Sequence, residues 1–289
     1  MKMLILGGYG NFGTRIARAL AATPGISLLI GGRDGRRAQA LAQEMGKNAH
    51  GVCIDWVSPS FSRTLQSLGV DVLIHAAGPF QNQDYSVAKA AAQAGAHYID
   101  LADARRFVVD FPQAMDAAFQ AAGRTAITGA STVPALSSAV VAHLAQDWQR
   151  IDTIDICIAP AHTAPRGTAT MAAVLDYCGV PIQVWCEGQW QQQHGWAQPQ
   201  WVHFARMRPR LGALCDIPDL ELFPKQFGAT QRVMFRAALE VRTGQQVFAG
   251  LAALRKAGVL RQPKRLARPL DAVAHLLDPW GSELGGMVV

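Results

Sequence analysis

Residues 7–13 read Gly-Gly-Tyr-Gly-Asn-Phe-Gly, and few folds accommodate such a run where it stands. Before it, Met3–Leu6 is a short apolar stretch of the kind that forms a buried strand. After it, residues 11–22 carry apolar side chains at 12, 16, 17, 20 and 21, one face of a helix that Pro24-Gly25 stops. The glycines at 8, 10 and 13 give the spacing GxGxxG. Gly8 permits a tight turn, Gly10 lets a pyrophosphate approach bare backbone, and Gly13 lets the helix lie close to the strand. The helix N-terminus then presents unpaired N–H groups and partial positive charge to the phosphates. Such a motif is weak alone, but here it follows a strand, opens a helix and begins a series of similar units.

That series covers the first half of the chain. Strand-like segments at 26–30, 52–54, 70–74, 97–101 and 125–128 alternate with helix-like segments at 36–45, 61–68, 85–94 and 111–122. Such alternation predicts an α/β fold: an N-terminal Rossmann-type parallel sheet whose right-handed crossovers bring every strand's carboxyl end to one edge, where ligands bind. The second half is less regular. Residues 151–159 alternate like a half-exposed strand, 169–177, 245–257 and 266–277 are helix-like, 182–186 is strand-like, and 232–241 fits either state. We expect a dinucleotide-binding domain over residues 1–132 and a mixed α/β domain over residues 133–289.

The residue about 20 positions beyond the glycines sets which dinucleotide fits, because an acid there would bond the 2′-hydroxyl of NAD. Arg33 holds that place, 20 residues past Gly13. A guanidinium suits the 2′-phosphate of NADP, so NADP is expected over NAD. Asp34 leaves two roles open, a ribose hydroxyl partner or the cap of the next helix. Asp55 has a similar choice between the adenine amino group and a cap. Residues 75–80, His-Ala-Ala-Gly-Pro-Phe, close a strand with small residues across which a cofactor can lie. There Phe80 either walls the nicotinamide or fills the core. Tyr85 and Lys89 match a YxxxK pair of catalytic kind, but they stand so soon after this turn that an ordinary helix start explains them.

Composition narrows the classes. Apolar residues make up 50 % of the 289, which excludes disorder. Of the net charge of +6, residues 241–270 supply seven basic groups and no acid, so the rest sums to −1. A uniformly basic nucleic-acid binder would look different. We read that tract as a solvated face and expect no nucleic-acid or membrane partner. No run reaches the ~18 apolar residues of a membrane span. The five cysteines are odd in number and lack CxxC spacing, which argues for reduced thiols in a cytoplasmic protein. The eight histidines show no ligand spacing, so no metal is expected. Trp185, Trp190, Trp196 and Trp201 are read as sheet packing, with an apolar substrate pocket or a surface that stacks single-stranded bases as the other roles, the latter without the interleaved basic residues it would need. His162, Thr163, Arg166 and Thr168 form a polar loop in which Arg166 could hold a substrate carboxylate or the loop could simply cap a helix.

The runs GGYGNFGTRIARAL, GGRD, AAGPF and AGAHYIDLAD resemble the NADP-binding domain of the saccharopine dehydrogenase-like family. The likeness covers about residues 1–145 and is loose beyond. It implies that Gly8, Tyr9, Gly10, Asn11, Phe12 and Gly13 hold the pyrophosphate. It implies that Arg33 meets the adenosine end and that Ala77, Gly78, Pro79 and Phe80 approach the nicotinamide. It also implies a second domain whose sheet packs in homodimers, and one incomplete at its C-terminus, since family chains usually continue past a strand like Met287–Val289. The expected function is an NAD(P)-dependent oxidoreductase, passing hydride between nicotinamide and a small carbonyl or imine substrate of amino-acid type. A glutamate that relatives often carry after the Asp-Leu pair is missing here, and Asp103 stands near its place. Asp103, Tyr98 and His162, in that order, are the candidates for the general acid. The alternative is a non-catalytic NADP-binding regulatory or assembly protein.

Overall fold

In a computed structural model that describes residues 1–164 and 168–289, the first strand, β1 (Lys2–Leu6), lies at the centre of a parallel sheet. It is followed by α1 (Asn11–Ala21), β2 (Ser27–Gly32), α2 (Gly35–Met45), β3 (Ala49–Cys53), α3 (Phe61–Leu68) and β4 (Val72–His75). Then come α4 (Ser86–Gln93), β5 (His97–Asp100), α5 (Arg105–Ala122) and β6 (Ala126–Ile127). The strand order is β3-β2-β1-β4-β5-β6, which reverses direction between β1 and β4. Ile5 stands in register with Ile30 and Ile74, and the three pack with Ala17 of α1 and Leu41 of α2. Leu4, Leu6, Leu29 and Leu73 are buried as well, so these strands are covered on both faces. Each such side chain contributes about 1.5–3 kcal/mol on burial.

Three boundaries differ from the sequence expectation. β3 begins at Ala49, because His50 and Gly51 pair with β2 although neither is apolar. A Cβ on Gly51 would fall 2.3 Å from the backbone nitrogen of Gln39, so glycine is what lets α2 lie on this strand. α5 begins at Arg105 and continues through Pro112, because Phe107, Val108, Phe111, Met115 and Phe119 form one buried stripe across the proline. Residues 232–241 resolve as a strand ending at Ala238.

Met1–Ser131 and Thr132–Val289 form two compact units. The second contains α6 (Ser137–Leu144), β7 (Thr153–Ala159), α7 (Thr168–Tyr177), β8 (Pro181–Cys186), β9 (Gln189–His194), β10 (Gln200–Phe204) and β11 (Met207–Leu214). It ends with α8 (Asp219–Gln226), β12 (Arg232–Ala238), α9 (Arg242–Lys256), α10 (Ala267–Leu276) and β13 (Gly286–Val288). Its mixed sheet runs β10-β11-β12-β7-β13, with β8 and β9 attached through β12. Ile154, Ile156, Val233 and Phe235 pack on one side against Leu220 and Phe223 of α8 and Val141 of α6. Trp196 is buried with Phe248 of α9 and Leu175 of α7. Among the described residues no helix is long and apolar enough to cross a membrane, and no three His, Cys, Asp or Glu side chains group to hold a metal. No disulfide joins the described cysteines; Cys157, Cys178 and Cys215 are buried and Cys53 is exposed.

One polar contact in this unit is fully enclosed. Ser137 Oγ lies 3.0 Å from the Pro134 carbonyl and 2.5 Å from Asp219 Oδ2. A hydroxyl has one proton, so one of the two contacts needs a proton from Asp219. Burial pushes the Asp219 carboxyl up to about 7, against the pull of Ser137, which fits a neutral acid donating to Ser137 Oγ. The unfolded carboxyl ionises near its ordinary 3.8, so the fold binds the extra proton between that pH and about 7. Stability from this group is therefore full below the unfolded value and lost as pH rises through the folded one. In urea titrations the wild type should lose on the order of 2–4 kcal/mol relative to D219N between about pH 4 and 7. Parallel pH profiles for the two proteins would refute the protonated form.

Candidate functional site

The turn after β1 is built by backbone alone. Gly7 and Gly8 donate their N–H groups to the Gly31 carbonyl at 2.9 and 3.0 Å, and Gly10 donates to Gly7 at 2.9 Å. Gly7 has φ +79°, and a Cβ there would stand 3.0 Å from the backbone of Ala76 and Ala77. The turn after β1 thus touches the turn after β4, at the point where strand order reverses. A Cβ on Gly13 would fall 2.2 Å from the Gly7 carbonyl oxygen, so helix and turn meet only if residue 13 is glycine. Gly10 precedes α1 without a side-chain cap, and the first turn has no acidic residue. The N-terminus of α1 thus opens at the sheet's ligand edge with no side chain at its cap position.

Tyr9 leans from this turn over the end of β2. Its hydroxyl accepts the Asp34 N–H at 2.9 Å, and the Arg37 guanidinium lies 4.7 Å above its ring. Only a glycine at 32 leaves room for that ring, which a Cβ would meet at 2.3 Å. Asp34 Oδ1 accepts from Arg36 N and Arg37 N at 3.0 and 3.1 Å, so its carboxylate caps α2. Tyr9, Arg33, Asp34, Gly35, Arg36 and Arg37 line a surface pocket at the start of that helix. Arg36 and Arg37 escaped the sequence reading; the signal was the run Arg33-Asp34-Gly35-Arg36-Arg37 itself. Asp55 lies past β3, where its Oδ1 accepts Val57 N at 3.2 Å and closes a turn.

At the end of β4, Gln83 Nε2 donates to the Ala77 and Pro79 carbonyls at 2.8 and 2.9 Å and holds the Ala77–Phe80 turn. The Phe80 ring takes the second of its two open roles. It is buried, edge-on to His75 at 5.0 Å and beside Phe107. His75 Nδ1 shares a 3.0 Å hydrogen bond with the Tyr98 hydroxyl, and burial lowers the imidazole to about 4, so it is neutral. Tyr98 is 1 % exposed and stacks on Phe111, which encloses its hydroxyl in the core. Asp100 Oδ1 accepts from Ala102 N, Gly129 N and Thr128 Oγ1 at 2.9, 2.8 and 3.1 Å, tying the ends of β5 and β6 together. Asp103 stands at the surface, where Gln81 Nε2 donates to it at 3.3 Å. The protein around its inner side removes hydration and pushes its carboxyl up. Tyr85, at the cap position of α4, donates its O–H to the Phe107 carbonyl of α5 at 3.0 Å, a tertiary contact that ties the two helices.

Residues 3–127 match the family model described as the saccharopine dehydrogenase NADP binding domain. The match runs from β1 to the end of β6. The saccharopine dehydrogenase (L-Glu forming) of Saccharomyces cerevisiae, in its apo form, superposes with a TM-score of 0.63 at 15 % identity, over 82 % of this chain and 54 % of that one. The likeness is one of fold, and this chain spans about half the length of that enzyme. GenD2 from gentamicin A biosynthesis, in complex with NAD, gives 0.46 at 15 % identity over 83 % of this chain and 65 % of that one. A myo-inositol dehydrogenase from Corynebacterium glutamicum gives 0.43 at 12 % identity over 83 % and 68 %. No curated protein sequence matches.

Within the first unit the structure therefore gathers the Gly8–Gly13 turn, the Ala77–Pro79 turn, and Arg33 with Asp34 along one sheet edge, with Asp103 beside the second turn. His162 lies in the second unit. Its backbone N–H donates to Glu240 Oε2 at 3.1 Å, and its Nε2 stands 3.1 Å from the Ala274 carbonyl and 3.3 Å from Asp278. Thr163 Oγ1 donates to the Ser282 carbonyl at 3.0 Å. Arg166 falls outside the described residues, and Thr168 begins α7.

Y98F should cost about 1–3 kcal/mol in chemical denaturation, because it strands a buried imidazole nitrogen. It should leave NADPH affinity unchanged, and a loss of affinity without loss of stability would contradict the enclosed position of Tyr98. G13A should remove NADPH binding and lower the melting temperature together. An alanine tolerated at full affinity would show that helix and turn need not touch.

Proposed function

We propose that the chain is an NADP-dependent oxidoreductase of the saccharopine dehydrogenase-like type. It moves hydride between the nicotinamide and the carbon of a small carbonyl or imine substrate of amino-acid character. One observation carries the cofactor choice: the Asp34 carboxylate is spent on the N–H groups of α2, while Arg33, Arg36 and Arg37 surround the pocket beside it. A free acid at this place would accept the ribose hydroxyls of NAD; three guanidinium groups and a helix N-terminus instead favour a phosphate. The bare glycine turn fits the diphosphate for the same reason, since no side chain stands between it and the α1 N-terminus. In this reading Gly8, Tyr9, Gly10, Asn11, Phe12 and Gly13 hold the pyrophosphate, Arg33 with Arg36 and Arg37 the 2′-phosphate, and Asp55 flanks the adenine. Ala77, Gly78 and Pro79 carry the nicotinamide end. Bound NADPH supplies the hydride.

Asp103 is the proton carrier in this proposal. It is the one candidate of the first unit that is both exposed and next to the Ala77–Pro79 turn, and its carboxyl is raised toward the range of a general acid. The second unit supplies the homodimer surface, and the reduced thiols accord with a cytoplasmic setting. The enclosure of Tyr98 favours a second reading, a nucleotide-binding regulator without turnover.

Nicotinamide fluorescence tests the cofactor assignment. R33A and R37A should each weaken NADPH binding about 10–100-fold, the loss of one or two charge-assisted bonds, and leave NADH binding within about twofold. Equal losses for both nucleotides would remove the 2′-phosphate role. With a panel of amino and keto acids, D103N should lower kcat at unchanged NADPH affinity. Tight NADPH binding without oxidation across the panel would favour the regulator.

A further inference from the structure

The second unit buries two arginines on its sheet, and they differ in one respect. Arg210 is satisfied: it donates to the Pro160 and Leu284 carbonyls, both at 2.8 Å, and pairs with Glu240 at 3.5 Å. Arg236, in the middle of β12, is 9 % exposed and makes no hydrogen bond among the described residues. Its nearest countercharge is Asp155 Oδ1 at 3.8 Å, and that carboxylate already pairs with Arg232 through its other oxygen at 2.5 Å. Its Nε–H is buried with no partner, and an unmet donor of a buried cation costs free energy that a surface group does not pay.

Space lies beside it. A pocket of about 230 Å³ is lined by Arg236, Asp155, Gln200, Trp201, Val202 and Val288, among others. Trp201 is 49 % exposed, with the Arg242 guanidinium 5.5 Å from its ring centre. The neighbouring Cys157 thiol, raised to about 12 by burial, adds no charge. Arg232 and Arg236 share the one carboxylate of Asp155, and Arg242 stands by Trp201, so cations outnumber the acid around the recess. The walls opposite are an indole and two valines.

We infer that this recess binds a small organic monocarboxylate, its anion on the Arg236 guanidinium and its apolar body against Trp201. Arg236 presents the planar fork that a carboxylate matches with two parallel bonds, and a pocket of this size has room for one such group and a small apolar body. The size is below the 300–1,000 Å³ typical of drug-sized sites, which sets the ligand at a ring or short chain with one acid group. The inference stands apart from the nucleotide assignment, and its test contains no nucleotide, so each can fail without the other.

Benzoate serves as the probe and benzamide as its neutral counterpart, titrated calorimetrically into the full chain. Benzoate should bind saturably at one site per chain, and benzamide at least tenfold more weakly. R236M should lose benzoate at least tenfold while remaining folded by circular dichroism. Because R236M alters a buried position, W201A provides a second arm at an exposed one and should weaken benzoate several-fold with an unchanged melting temperature. The Trp201 indole N–H resonance of the wild type should move with benzoate and not with benzamide. No saturable benzoate binding would mean that water alone fills the recess and would overturn the inference. So would equal binding of benzoate and inorganic phosphate, which marks a nonspecific anion site. A wild type that sediments as a dimer and binds no benzoate, with R236E sedimenting as a monomer, would assign the recess to a second copy of the chain instead.

Discussion

Everything in the first unit depends on how closely one helix can approach one turn. Gly13 sits where any Cβ would collide with the Gly7 carbonyl, and Gly7 itself sits against the backbone of Ala76 and Ala77. Three pieces of main chain therefore meet without side chains between them. The contact aims the N-terminus of α1 along the carboxyl edge of the sheet, with no side chain at its cap position. A side chain at any of these places would push the three pieces of main chain apart. The fold and the anion site are thus one constraint seen twice.

The adenosine end follows from a similar economy of space. Gly32 gives way to the Tyr9 ring, the Tyr9 hydroxyl holds the Asp34 N–H, and Asp34 then caps α2. That chain of contacts commits the one acid near the pocket and leaves the arginines to set its potential. Arg37 lies over the Tyr9 ring, where cation–π attraction holds the guanidinium and keeps its edge available. A single acid at the second strand's end is thus not enough to read a nucleotide preference; what matters is whether its oxygens are already occupied.

Legibility from sequence followed the physics of burial. Central parallel strands are apolar on both faces, so β1, β2 and β4 stood out as continuous runs. β3 hid because an edge strand tolerates His50 and Gly51, and the start of α5 hid because Pro112 suggests a boundary where a buried stripe overrides it. In the second unit β9 reads Gln-Trp-Gln-Gln-Gln-His, with no apolar alternation to betray it. At the site, the glycines and Arg33 announce themselves by spacing. The alternatives for Asp34 and Phe80 did not close until their neighbours were known, since capping and core packing are properties of contacts, not of residue types. Arg236 was invisible for the same reason: a lone arginine in a strand of Val, Met, Phe and Ala carries no pattern.

The enclosed polar groups of the two units show how differently a buried charge can be accommodated. His75 stays neutral and finds the Tyr98 hydroxyl. Asp100 gathers three donors on one oxygen and so locks β5 to β6 at the edge where the cofactor turn lies. Asp219, its carboxyl pushed up by burial, shares a short hydrogen bond with Ser137 Oγ. Each answers the same desolvation penalty by losing its charge or by surrounding it with dipoles. Arg236 can do neither: a guanidinium does not shed its proton within any pH the fold survives, and no carbonyl reaches it. The remaining way to balance such a group is an anion from outside the chain, which is why the unsatisfied cation, rather than the pocket beside it, is the stronger sign of a ligand.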